Sequence, residues 1–117
     1  MTAPRHISLR LKDIVESATK VELLASRGRE RFDSDWETRD LMVHHLEIMG
    51  EVAAALPIEF RSSHADVRWG ALVGMRNHLI HGYSAIDYGI VWDAATLSCA
   101  PLRRRVSAIL AELEGTT

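Results

Sequence analysis

From Ile7 to Leu113 the apolar residues of this chain recur three and four positions apart, with no convincing alternation of apolar and polar residues. That spacing follows the 3.6-residue turn of an α-helix, whereas a half-buried strand needs a period of two. The first stripe is Ile7, Leu11, Ile14, Ala18, Val21 and Ala25, on a helix that should end near Gly28. Residues 29–33 are charged and read as a loop. Ser34 and Glu37 have the spacing of a capping box and open a second helix. Its stripe is Met42, Leu46, Met49, Ala53 and Leu56, and Pro57 closes it. Residues 58–68 show no sustained period and read as a long connection that leaves room for one short turn. A third helix begins at Trp69 and should stop at Gly82, which suits a left-handed position just past a helix end. Ser84 and Asp87 resemble another N-terminal cap, before a helix with Ile86, Ile90, Ala94 and Leu97 on one face. Pro101 fits the first turn of a last helix, striped by Leu102, Val106, Ile109 and Leu113. The expected fold is all-α, an antiparallel four- to five-helix bundle forming a single domain over 1–117.

Composition excludes several functions. The formal net charge is −2, so nothing global marks a nucleic-acid binder. Residues 1–67 carry nine Lys/Arg against twelve Asp/Glu, and residues 68–117 five against four, which places any attraction for a polyanion in the second half. Cys99 is the single cysteine, so neither a disulfide nor a cysteine-based zinc site can form within one chain. The longest apolar run, 52–58, is far too short to span a bilayer, and residues 1–13 hold no unbroken apolar core of a signal peptide. A cytoplasmic protein with no membrane partner is expected. His44 and His45 are adjacent and point about 100° apart on a helix, unlike an i, i+4 ligand pair. No histidine has Glu three residues before it, which removes the di-iron carboxylate pattern. The arginine run 103–105 reads as a solvated face, and Trp36, Trp69 and Trp92 as core or interface anchors.

The chemistry concentrates in the third helix. Arg76, Asn77, His78, His81 and Tyr83 fall within eight residues that also hold Gly82. On a helical wheel Gly70, Gly74, Asn77 and His81 share one narrow arc, with His78 beside them. Leu72, Val73, Met75, Leu79 and Ile80 occupy the opposite side, and Arg76 sits among them. Two glycines inside a helix each cost about 1 kcal/mol relative to alanine, and in return they let a backbone or ligand approach. An arginine on the core arc needs a partner, for which Glu47 or Glu51 of the second helix is the expected carboxylate.

The motif R-x4-H-x-Y, formed by Arg76, His81 and Tyr83, resembles that of the HepT-like toxins among the HEPN domains. The likeness extends to residues 44–56 (HHLEIMGEVAAAL) and runs almost continuously through 65–93. Ser84 stands where relatives often carry an aromatic residue, and His44 and His45 where an arginine and a polar residue are common. The resemblance implies an all-helical symmetric homodimer acting as an endoribonuclease toxin that needs no metal and no cofactor. Arg76 and His81 would be catalytic and Asn77 supporting. It further implies a partner, a small nucleotidyltransferase antitoxin that moves AMP from its co-substrate ATP onto Tyr83. The alternative is a non-catalytic HEPN module, a nucleotide-binding accessory of a nucleotidyltransferase.

Overall fold

The computed structural model describes residues 5–82 and 85–115. Its elements run α1 (Arg5–Ala25), α2 (Arg29–Ser34), α3 (Trp36–Ala55), α4 (Ile58–Ser63), α5 (Trp69–His81), α6 (Tyr88–Asp93), a π-helical turn (Ala94–Ser98) and α7 (Cys99–Glu114). Among the described residues there is no strand. Among them no helix is long and apolar enough to cross a membrane.

The stripes become the core. Ile7, Leu11, Ile14, Ala18 and Val21 of α1 are buried, as are Met42, Leu46, Met49 and Ala53 of α3 with Leu56 after it, and Val106 and Ile109 of α7. Packing places α1 between α3 and α7, and α3 between α1 and α5. Paired contacts give the directions. Lys12 meets Glu114 while Glu22 meets Arg103, and Ser17 meets His45 while Arg27 meets Thr38, so α7 and α3 both run antiparallel to α1. Cys99 lies inside this packing, its thiol pointing to the Ala18 carbonyl, and burial pushes that thiol up to about 12, with the nearby Glu22 carboxylate adding to it. It is core, not a nucleophile.

The expected boundaries shift in five places. Residues 29–34 form a helical turn rather than a loop, because Phe32 must reach the core and does so fully buried. Asp35, not Ser34, caps α3, accepting from Glu37 N and the Thr38 hydroxyl. Residues 58–63 form a short helix that buries Phe60. Gly82 has φ −87°, so it is not left-handed; a Cβ there would instead strike the His78 carbonyl oxygen at 2.6 Å. Gly28 does adopt positive φ, at 98°, where α1 gives way to α2.

The fifth shift concerns phase. The expected stripe of Ile86, Ile90, Ala94 and Leu97 is not the buried one: Leu97 is 71% exposed, and Val91, Ala95 and Cys99 face inward instead. Residues 88–114 run on as helical backbone through the π turn, where the sequence suggests two separate helices. Pro101 explains the wide turn. A proline cannot donate to the carbonyl four residues back, and its ring collides with that carbonyl in a regular helix.

Candidate functional site

Gly50 decides where α5 sits. It is buried in the middle of α3, and a Cβ on it would lie 2.3 Å from Arg76 Cβ and 2.6 Å from the Leu72 carbonyl oxygen. Only a missing side chain lets α5 come this close to α3. The sequence carries one signal of this, a glycine in mid-helix that gives up about 1 kcal/mol of propensity and needs a packing reason. Facing away from α3, Gly70 and Gly74 are exposed, and a Cβ on either would meet nothing within 4 Å. Asn77 and His81 are exposed as well. The glycine face read from the wheel is therefore an open face of α5.

Arg76 bridges the two sides. Its Cβ lies against Gly50, and its Nε is enclosed with no hydrogen-bond partner. Its Nη1 donates to Asn77 Oδ1 at 3.3 Å. The side chain thus runs from the core arc to the residue that shares a face with His81. Arg76 forms no ion pair with Glu47 or Glu51, which corrects the expected carboxylate partner. Its root points at α3 but its head leaves it. A half-buried guanidinium without a neutralising carboxylate is a ready site for an anion.

His78 and His81 have different surroundings. The Asp87 backbone N–H donates to His78 Nε2 at 3.2 Å, which leaves the ring proton on Nδ1. Asp87 Oδ1 in turn accepts from Gly89 N and Ile90 N and caps α6. His78 therefore ties the end of α5 to the start of α6 and is structural. His81 makes no such bond among the described residues and sits in the last turn of α5. Tyr83 lies outside the described residues. On either side of it, Gly82 N donates to the His78 carbonyl at 2.8 Å and Ala85 N to the Gly82 carbonyl at 2.5 Å.

Sequence reasoning missed the aromatic wall beside this end of α5. Arg39 donates to the Phe32 and Asp33 carbonyls at 2.9 and 2.7 Å, and its guanidinium lies 5.3 Å from the centre of the Tyr88 ring. Phe32 packs edge-on against Tyr88 and tilted against Trp92. Arg39 lies in a charged stretch of sequence with no periodic signal to separate it from its neighbours. Of the three tryptophans, Trp69 is buried with its Nε1 donating to the His64 carbonyl at 3.0 Å, whereas Trp36 is 64% exposed. In the arginine run, Arg103 is held by Glu22 and Arg105 by Asp66 at 2.5 Å, so most of its charge is neutralised.

The chain is similar to known proteins along most of its length. Residues 14–109 match the family described as Ribonuclease HepT-like. A Caldanaerobacter subterraneus subsp. tengcongensis protein named "Putative RNase TTE0752" is 38% identical over 77% of this chain and 80% of its own length. "Putative RNase MJ1380" of Methanocaldococcus jannaschii is 31% identical over 90% of this chain and 97% of its own. "Probable ribonuclease HepT" of Thermococcus cleftensis is 33% identical over 70% and 76%. No solved structure matches the chain.

Proposed function

We propose, for a chain that belongs to the Ribonuclease HepT-like family, that it is the endoribonuclease toxin of a toxin–antitoxin pair and cleaves RNA through Arg76 and His81. The observation that carries this reading is the guanidinium of Arg76, bonded to Asn77, on the same helix end as His81, with no carboxylate on Arg76 and no partner for His81 among the described residues. RNA brings its own nucleophile, the 2′-OH, so the step calls for a base, an acid and a cation but no metal-bound water. His81 takes the 2′-OH proton as the oxygen attacks phosphorus, a contribution on the order of 10²–10⁴-fold. Arg76 stabilises the added negative charge of the pentacoordinate phosphorus. Asn77 holds the guanidinium in place. The bond to the 5′-oxygen breaks, that oxygen leaves protonated, and the products are a 2′,3′-cyclic phosphate and a 5′-hydroxyl.

Attack and departure occur on opposite sides of the phosphorus, and one exposed histidine serves one side. A two-fold homodimer with the open α5 faces across a shared cleft supplies the second His81 as the acid. In this reading Tyr83 is the control point. A nucleotidyltransferase antitoxin transfers AMP from ATP to its hydroxyl, releasing pyrophosphate, and the added phosphate repels an RNA backbone at the cleft.

Cleavage of cellular RNA is to be assayed in EDTA with wild type, Arg76→Ala, His81→Ala and the double variant that carries both. Each substitution should lower the rate at least about 100-fold, His81→Ala through lost acid–base catalysis and Arg76→Ala through lost charge stabilisation. Undiminished cleavage by the double variant, or an absolute need for metal, would sink the mechanism. Co-expression with the nucleotidyltransferase should add AMP to Tyr83 by mass spectrometry, and its appearance on Tyr88 instead would overturn that assignment.

A further inference from the structure

A second cationic site lies at the other end of α5. Between α4 and the first turn of α5 runs an open groove of about 600 Å³, lined by Ile58, Arg61, Ser62, Arg68 and Gly70 among others. Arg61 and Arg68 are the charged residues of that lining, with no carboxylate among them. Neither side chain has a hydrogen-bond or ion-pair partner among the described residues, and Arg61 Nε is enclosed without one. Elsewhere in the chain Arg29, Arg31, Arg103 and Arg105 are each held by a carboxylate. Asp66, two residues before Arg68 in the chain, is taken by Arg105.

The helix end adds to the field. The first turn of α5 carries no acidic residue and Arg68, at its N-cap, makes no side-chain cap. Trp69, Ala71 and Leu72 direct their N–H groups to the Val67 and Arg68 carbonyls, while the Gly70 N–H takes no acceptor. Gly70 borders the groove, and with open space where a Cβ would be it leaves that amide reachable. Two free guanidiniums and a free amide at the positive end of a helix form a site for a phosphate oxygen.

We propose that this groove is a distal phosphate subsite in which Arg61, Arg68 and the Gly70 N–H hold the RNA backbone away from the bond that is cut. The inference rests on the ribonuclease reading and deepens it. From Gly70 to His81 is eleven residues, roughly 16 Å along the helix, a span of a few nucleotides of single strand. A chain of net charge −2 has no overall attraction for RNA, so local cations at both ends of α5 must supply it. Short RNAs reach only the Arg76 end. Longer ones gain the groove.

The test uses fluorescent random-sequence RNAs, a tetranucleotide and a dodecanucleotide, with 2′-O-methyl groups that block cleavage. Anisotropy is measured for wild type, Arg68→Glu, Arg68→Ala and Arg61→Gln. Arg68 is exposed, so its variant keeps the fold even if that of Arg61 does not. Arg68→Glu should weaken the dodecanucleotide about tenfold and leave the tetranucleotide unchanged, and Arg68→Ala should lower the salt slope by about one. Dodecanucleotide binding equal to wild type, or equal losses for both lengths, overturns the subsite while the ribonuclease reading stands. Failure of wild type to bind or cleave any RNA overturns both.

Discussion

The histidines of this chain show how one side-chain type takes different roles from its surroundings. His78 accepts a backbone N–H and fastens a loop, whereas His81 has no such partner among the described residues. His45 is the third case. Its Nδ1 lies 3.4 Å from the hydroxyl of buried Ser17, between α1 and α3. Burial holds its imidazole below the ordinary value of 6.5, with His44 and Lys20 adding to the effect and Glu16 opposing it. The unfolded chain therefore takes this proton first. The stability that a neutral His45 contributes is present above 6.5 and is lost as pH falls through its lowered folded value. Urea midpoints on both sides of that value should fall more steeply in wild type than in His45→Gln. Identical slopes would remove His45 from the pH response.

At the scale of elements, two glycine positions make opposite predictions. Gly50→Ala forces a methyl group against backbone and the root of Arg76. It should cost about 1–3 kcal/mol by urea denaturation and lower RNA cleavage through displacement of Arg76. Gly74→Ala meets open space and gains helix propensity, up to about 1 kcal/mol. Any loss of activity in Gly74→Ala then reports on what approaches the open face. An unchanged stability for Gly50→Ala would mean that the α3–α5 crossing relaxes freely. The π turn carries a similar lesson, since it aligns Val91, Ala95 and Cys99 with the α7 stripe. A strict 3.6-residue wheel puts Leu97 inside and misses this. Pro101 was the visible sign.

The whole molecule measures 49 × 26 × 20 Å, with a radius of gyration of 14.5 Å. A compact chain of this length should have about 13 Å. Elongation places α5 on a flank, packed chiefly on α3, with its glycine face and Ile80 left open. If the α5 faces meet in a homodimer, sedimentation equilibrium should give twice 13.1 kDa. A monomer at micromolar concentration would leave His81 without its counterpart and require a single-histidine mechanism.

By itself the sequence determined the helical class, the stripes of α1, α3 and α7, the limits of α5 and the clustering of Arg76, Asn77 and His81 on it. These follow from the backbone period, which neighbouring residues report directly. Tertiary structure decided the rest: that Gly50 admits Arg76, that Arg76 turns to Asn77 instead of Glu47 or Glu51, that His78 is tied to Asp87, and that Arg61 and Arg68 share a groove. Each of these depends on which side chains from different segments meet, or on which find no partner at all. Local periodicity fixes the face a residue occupies on its own helix, but long-range packing fixes what that face meets.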